Sequence, residues 1–210
     1  MSYDLELVLE VSVEEKKFLI GSGGVSPKTK ADISFMRMRY RGSNKLFIPG
    51  STIKGVLRTS LIRTAHLIGK SVSGFSVHPS SSVRGDIVSS LFGWVSWPAS
   101  KLIVESAYVD SQAERMAHVR INDKSRTAEE GALFVSEYLP HGSSFKVRVI
   151  GRGLTPDEAR ALFLSILEMN YERMGRAGLA KVRIFRGESR IPPEIEADPL
   201  VKEILEGIGV

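Results

Sequence analysis

The spacing of apolar residues changes along the chain, and this change restricts the possible folds more than any other feature of the sequence. Apolar and polar residues largely alternate over residues 5–13, which is the period of a strand with one buried face. A turn at residues 49–51 then introduces helical spacing, with Ser51 as the predicted N-cap. The apolar residues of this helix recur four positions apart, at Ile53, Leu57, Leu61 and Ala65. The first part of the chain therefore predicts a strand followed by a helix.

The C-terminal part of the chain contains a second helix and a closing strand. Residues 155–158 read Thr-Pro-Asp-Glu, a capping box with proline at the first helical position, and predict a helix start. Gly175 and Gly178 are expected to end this helix. Residues 179–185 follow with the apolar character of a strand.

Two further strands lie between the helices, since residues 102–109 are apolar and β-prone and residues 145–149 alternate between apolar and basic. The resulting order of strand, helix, strand, strand, helix, strand is that of a ferredoxin-like or RNA-recognition-like core. The remaining segments are predicted as insertions: an irregular basic hairpin at residues 25–45, a loop at residues 70–86 and a second hairpin at residues 118–138. The sequence thus predicts an α+β fold with inserted loops and an inserted hairpin.

Positive charge is concentrated in the segment from residue 28 to residue 84. The only acidic residue there is Asp32, and the basic residues are Lys28, Lys30, Arg37, Arg39, Arg41, Lys45, Lys54, Arg58, Arg63, Lys70 and Arg84. A solvated surface would normally mix both signs of charge. Lysine and arginine contacts to phosphate supply most of the non-specific affinity for nucleic acids. The segment therefore predicts a polyanionic partner, and RNA or DNA is the leading candidate.

Several classes of protein are disfavoured by composition. The sequence has no cysteine, which excludes disulfides, cysteine nucleophiles and thiolate zinc sites, and its four histidines are scattered, so we expect no structural zinc. No window approaches the roughly 18 uninterrupted apolar residues of a membrane helix. The first ten residues carry three acids in place of the basic start of a signal peptide. We therefore expect a cytoplasmic protein that does not associate with membranes.

One stretch resembles a known family. Residues 47–58 read FIPGSTIKGVLR, which is similar to the Ile-Pro-Gly-Ser motif of the RAMP superfamily of CRISPR-associated proteins, and specifically of the backbone subunits of type III effector complexes. Further segments agree in the same order along the chain: a glycine loop at residues 21–23, a Leu-Phe-Gly turn at 90–93 with the strand after it, a hairpin and strand at 119–145, and a second glycine loop at 175–182.

The resemblance implies a domain organisation and a set of partners. It implies a single RAMP domain over residues 1–187, with a thumb hairpin inserted at about residues 110–142 and an acidic tail at residues 188–210. The partners would be guide RNA, target RNA, copies of the chain itself and other CRISPR effector subunits. The chain would then take part in antiviral defence as one subunit of a ribonucleoprotein.

Candidate RNA-binding residues lie in three places. Ser51 lies at a helix N-terminus, where unpaired backbone N–H groups favour phosphate, and Lys54 and Arg58 lie four positions apart on one helical face. The other candidates are Lys28, Lys30 and Arg37 in the basic segment and Arg176 and Lys181 in the C-terminal glycine loop. An ordinary capped helix with a solvated basic face, and an ordinary helix C-cap at the second loop, remain open alternatives.

Asp32 is the candidate catalytic and metal-binding residue. A lone acid in a basic channel can hold a divalent cation, Mg²⁺ or Mn²⁺, or help to activate a 2′-hydroxyl. The resemblance implies the same role, because family members cut target RNA with an aspartate in the loop upstream of the Ile-Pro-Gly-Ser motif. The alternative is a surface ion pair between Asp32 and Lys30 or Arg37. Asp86 and Asp110 are the next acids to consider.

Three functions remain open at this stage. The first is a metal-dependent endoribonuclease subunit that works within an assembled complex. The second is a non-catalytic scaffold or capping subunit that binds RNA. The third is a metal-independent RNA-processing nuclease that uses His118 or Tyr40. Sensitivity of RNA cleavage to a chelator separates the first from the third.

Overall fold

The fold was obtained as a computed structural model, and it describes residues 1–14, 18–20, 31–72, 86–93, 99–175 and 178–210. The strands are β1 (Tyr3–Val13), β2 (Arg37–Tyr40), β3 (Ser43–Ile48), β4 (Leu102–Val104), β5 (Ala107–Val109), β6 (Glu114–Ile121), β7 (Ala128–Tyr138), β8 (Ser144–Leu154), β9 (Arg173–Met174) and β10 (Gly178–Ile184). The helices are α1 (Gly50–Thr64), α2 (Ile87–Phe92), α3 (Pro156–Glu168), α4 (Pro193–Glu196) and α5 (Pro199–Ile208).

A five-stranded antiparallel sheet with the order β4-β8-β1-β10-β9 forms the centre of the molecule. Val11 of β1 pairs with Phe145 of β8 on one side and with Val182 of β10 on the other. The alternation predicted for residues 5–13 buries the odd-numbered side chains in the core, where α1 and α3 pack against each other and against the sheet. This connectivity confirms the predicted ferredoxin-like α+β core.

The capping box at the start of α3 is confirmed. The Thr155 hydroxyl accepts a hydrogen bond from the backbone N–H of Glu158 at 3.3 Å, and the Glu158 carboxylate accepts one from the Thr155 N–H at 2.7 Å. Burial of Glu158 raises its pKa, but hydrogen bonds from Lys101, Ser90 and Thr155 outweigh burial and hold the pKa below its usual value. The N-terminus of α3 is therefore tied to the segment before β4 by a charged contact.

Two predictions about element ends were wrong. The second helix ends at Glu168 and continues only as a short 3₁₀ turn, so Gly175 and Gly178 do not terminate it. Residues 102–109 do not form one strand, because the chain turns after Val104. As a result β4 pairs with β8 in the central sheet, whereas β5 pairs with β3 in a second sheet.

The second sheet has three strands in the order β2-β3-β5. Its β2–β3 hairpin overlaps the predicted basic hairpin of residues 25–45 but extends to Ile48, and the part of the predicted segment before residue 31 lies outside the described residues. Arg41 and Gly42 close the hairpin with φ angles of 47° and 84°. A two-residue turn with both φ angles positive has type I′ geometry, which matches the twist of paired strands.

Strands β6 and β7 form a separate two-stranded hairpin, as predicted for residues 118–138. Val119 pairs with Leu133 near its middle, and both side chains are exposed. Residues 31–36 extend the base of this hairpin, since Ile33 forms a parallel bridge with Ser136 of β7. The hairpin is therefore joined at its base to the chain segment that leads into β2.

Residues 188–210, for which an acidic tail was predicted, contain two short helices that belong to the core. Val201, Ile204 and Leu205 of α5 are buried where α5 packs on α3 and β10. The acids of α5 face away from this contact and remain exposed. Within the described part of the chain, no helix has both the length and the apolar character required to cross a bilayer.

The two glycines of the motif at residues 47–58 have different surroundings. A Cβ atom at Gly50 would lie 2.0 Å from the backbone oxygen of Val104, whereas a Cβ atom at Gly55 would meet nothing within 4 Å. Gly50→Ala should destabilise the fold by about 1–3 kcal/mol, because backbone atoms must move apart. Gly55→Ala should stabilise it by about 0.5–1 kcal/mol, the usual gain within a helix.

Urea denaturation of both variants and of the wild-type protein measures these changes in the free energy of unfolding. The two alanine variants should shift the transition in opposite directions. An unchanged or increased stability of Gly50→Ala would contradict the close approach of Gly50 to β4.

Candidate nucleic-acid interface

Asp32 lies at the base of the β6–β7 hairpin. Its backbone N–H donates to the carbonyl oxygen of Val135 at 2.9 Å, and its carboxylate Oδ2 accepts from the Val135 N–H at 2.7 Å. The side chain is exposed. These two hydrogen bonds hold the carboxylate at the edge of β7 and leave its other oxygen, Oδ1, without a hydrogen-bond donor in the described part of the chain.

Arg37 pairs with Glu137 and not with Asp32. Its guanidinium donates to both carboxylate oxygens of Glu137, at 2.6 and 3.1 Å. The Glu137 side chain is only 3% exposed and also accepts the backbone N–H of Phe35 at 3.0 Å. The alternative in which Arg37 neutralises Asp32 is therefore wrong, and Lys30, the other partner considered, lies outside the described residues.

The N-terminus of α1 differs in detail from the prediction. Pro49 and not Ser51 is the N-cap, and no side chain caps the helix. The Gly50 N–H donates to the Ser106 hydroxyl at 3.0 Å, and the Thr52 N–H donates to the Pro49 carbonyl at 3.0 Å. Ser51 itself is exposed in the first turn. The exposed first turn keeps Ser51 as a predicted RNA contact, although two of the nearby N–H groups bind within the chain.

Lys54 makes two contacts within the protein. Its ammonium donates to the Ser100 hydroxyl at 2.6 Å and to the Leu102 carbonyl oxygen at 2.9 Å. Partial burial lowers its pKa through desolvation. Arg58, one turn later, is half-buried and also makes contacts within the protein. An RNA-binding role for this pair stays a prediction, and RNA would compete with these internal partners.

The C-terminal glycine loop is described only in part. Arg176 lies outside the described residues, as do Lys28 and Lys30, whereas Lys181 is exposed on β10 opposite Ser12 of β1. A Cβ atom at Gly175 would lie 2.2 Å from the carbonyl oxygen of Leu19. A close approach between two backbone segments thus accounts for this glycine.

A groove of about 440 Å³ separates the second sheet from the base of the β6–β7 hairpin. Three cations line it, Arg37, Lys45 and Arg115, together with the acids Asp110 and Glu137. Lys45 and Asp110 form an ion pair at 2.5 Å in which the Asp110 side chain is 81% exposed. The groove is therefore polar and charged, and Asp110 is already paired with a lysine.

Two groups proposed as alternatives have structural partners. Asp86 caps α2 by accepting the Ser89 N–H at 2.6 Å. His118 lies 2.7 Å from the Ser136 hydroxyl through Nε2 and stacks on Phe134 with ring centroids 4.8 Å apart. Both residues contribute to local structure and are less exposed than Asp32.

A pair of tyrosines in the second sheet was not predicted. Tyr40 of β2 and Tyr108 of β5 stack with ring centroids 4.3 Å apart, and Phe47 of β3 lies 5.5 Å from Tyr108. The sequence places these residues far apart, and only the pairing of β2, β3 and β5 brings them to one face. The only sequence signal for this stacking was the presence of Tyr108 in a segment predicted to be β-prone.

A comparison with protein-family models identifies one match. The model of the RAMP superfamily matches residues 17–183. The match covers most of the chain and includes the second sheet, α1, α3, the β6–β7 hairpin and strands β4, β8 and β9 of the central sheet, whereas β1 lies before it. No curated protein matches the chain.

The contacts of Lys54 can be tested by a substitution that keeps its apolar stem. Lys54→Met should lower the free energy of unfolding by about 1–2 kcal/mol, because the Leu102 carbonyl oxygen loses a charged donor. The matched control is Lys181→Met, which removes an exposed ammonium and should change stability by less than about 0.5 kcal/mol. Chemical denaturation measures both values. Equal, small changes would show that Lys54 faces solvent.

Proposed function

We propose, from the premise that this chain belongs to the RAMP superfamily, that it is a backbone subunit of a type III CRISPR effector complex and cleaves target RNA paired to a guide. Membership of the family makes the chain a CRISPR-associated RNA-binding protein, with RNA and other CRISPR subunits as its partners. The type of complex and the cleavage activity are the proposed part.

The placement of Asp32 carries the proposal. The carboxylate is exposed, and the Val135 N–H holds one of its oxygens at 2.7 Å. A carboxylate fixed in this way needs little reorganisation to act on a bound phosphodiester. The segment that carries it runs directly into β2, where Arg39 has no acidic partner among the described residues and can attract an RNA backbone.

The donor set fits one mode of divalent-metal binding. No group of three or more His, Cys, Asp or Glu residues in the described part of the chain could hold a metal ion. An all-protein metal cage is thus not supported there. Mg²⁺, however, usually keeps several waters and binds through one or two carboxylates together with substrate phosphates. Asp32 is the residue that would hold such an ion, which would stabilise charge on the phosphate when bound.

Asp32 also has a role that depends on its own chemistry. A carboxylate near the scissile bond can accept the proton of an attacking 2′-hydroxyl. The hydrogen bond from Val135 orients Oδ2, so Oδ1 is the oxygen available for this step. In this proposal Asp32 positions or deprotonates the nucleophile, and the cations of the β2–β3 hairpin bind the RNA backbone.

The β6–β7 hairpin would contact the guide–target duplex. Its exposed apolar side chains Val119, Ile121 and Leu133 cannot bind phosphate but can pack against bases. Asp32 lies at the base of this hairpin. In the proposed complex the hairpin would separate neighbouring base pairs, and the phosphodiester between them would then lie close to the Asp32 carboxylate. Head-to-tail copies of the chain would repeat this arrangement along a guide.

A non-catalytic scaffold is the second candidate function. The observation that favours it is that, among the described residues, no group of three or more His, Cys, Asp or Glu could hold a metal ion. In that case the hydrogen bond between Asp32 and Val135 would serve only to close the edge of β7.

Asp32→Asn tests the two functions. Asparagine keeps an oxygen that can accept the Val135 N–H, so the fold and RNA binding should be retained. Loss of the charge should slow target cleavage by at least about 100-fold, the usual effect of removing a positioned catalytic group. The measurement is single-turnover cleavage by the assembled complex, with and without a chelator.

Asp110→Asn is the matched control, because it removes an exposed acid of the same type that is paired with Lys45. It should leave the cleavage rate unchanged. Cleavage by Asp32→Asn at the wild-type rate would rule out the catalytic role, and absence of cleavage by the wild-type complex would support the scaffold.

A further inference from the structure

One face of the second sheet carries an aromatic series next to two cations. Strand pairing places Met38, Tyr40, Lys45, Phe47 and Tyr108 on the same face, because paired residues of neighbouring strands project to the same side. The rings follow one another from Phe47 through Tyr108 to Tyr40. Phe47 is buried, and both tyrosines are half-buried, so the series runs from the interior of the protein to its surface.

Neighbouring side chains fix the orientation of these rings. The Tyr108 hydroxyl donates to the Met38 sulfur at 3.6 Å, and Met38 is 45% exposed. The Arg41 guanidinium lies 5.3 Å from the centre of the Tyr40 ring, and the Lys45 ammonium lies 5.9 Å from it. Tyr40 therefore ends the aromatic series within reach of two positive charges.

Arg41 occupies a strained position. Its φ angle of 47° is left-handed, and this position of a type I′ turn favours asparagine or glycine. Among the described residues, Arg41 has no acidic partner that would explain an arginine there. Residues with strained backbone are often found at functional sites.

We propose that this face is a stacking site for an unpaired base of single-stranded RNA, with the base on Tyr40 and the adjacent phosphate on Arg41. The inference rests on the RNA-binding function proposed above, and it adds a contact separate from Asp32 and from α1. Aromatic rings that bear bases next to arginine are the usual means of binding single strands without sequence preference.

Charge favours RNA over a protein partner at this face. Lysine is depleted at protein interfaces, whereas Lys45 lies over the Tyr40 ring together with Arg41. The only acid paired at the edge of this face, in the described part of the chain, is Asp110. A phosphate group would therefore find an excess of positive charge beside the half-buried Tyr40 ring.

The test uses the full-length chain and an unstructured RNA of about 12 nucleotides, within the site sizes known for single-strand binding. Tyr40→Leu should weaken binding by about 5- to 150-fold, the equivalent of one lost base stack, and Tyr40→Phe should keep wild-type affinity. With 2-aminopurine in the RNA, stacking should quench the fluorescence for the wild type and Tyr40→Phe but not for Tyr40→Leu.

Arg41→Asn separates binding from stability. Asparagine tolerates the left-handed conformation, so the denaturation midpoint should rise while the affinity for RNA falls. The slope of log affinity against log salt should decrease by about 0.7, as expected for one phosphate contact to a single strand. Lys202→Ala, which removes an exposed positive charge on α5, is the control and should alter neither.

Three results would overturn the proposal. The first is wild-type affinity and quenching for both Tyr40→Leu and Arg41→Asn. The second is a change in self-association without RNA at unchanged RNA affinity, which would make this face a protein interface. The third is absence of RNA binding by the wild-type chain, which would remove the proposed function as well, whereas the first two results leave that function intact.

Discussion

The buried carboxylate of Glu137 is the contact on which the arrangement of the candidate site depends. It accepts the Phe35 N–H and both arms of the Arg37 guanidinium, and its side chain is almost fully buried. A buried charge without its partner is costly, so this contact joins β7 firmly to the segment that precedes β2. Asp32 lies at the start of that segment and the β2–β3 hairpin at its end. This ion pair therefore helps to position the proposed stacking face and, together with the hydrogen bonds to Val135, the candidate catalytic acid.

Local sequence signals were sufficient for most of the core. The alternation of residues 5–13 and the capping box at Thr155 each depend on residues within a few positions of one another, and the structure has both. The order of elements then left few possible sheet topologies. Ser51 was a less reliable cap signal, because Gly50 must approach the backbone of Val104, and this contact moves the start of the helix to the glycine.

Contacts between distant residues could not be predicted from the sequence. The pair formed by Arg37 and Glu137 spans 100 residues, and the strand over residues 102–109 divides because its halves pair with strands of different sheets. The same reason explains why the stack of Tyr40 on Tyr108 was missed. Tertiary pairing decides which side chains meet, and neither charge counts nor periodicity contain that information.

The excess of positive charge in residues 28–84 has a different meaning once the fold is known. Acids from later parts of the chain neutralise several of its cations: Glu137 pairs with Arg37, Asp110 with Lys45, Glu172 with Arg63 and Asp157 with Lys70. A segment with a single acid in its sequence thus gains these four acidic partners from other parts of the chain in the fold. Arg39 and Arg41, on the β2–β3 hairpin, have no acidic partner among the described residues. The charge that remains to attract RNA is therefore concentrated at this hairpin, on the same segment as Asp32, and is smaller than the sequence count indicates.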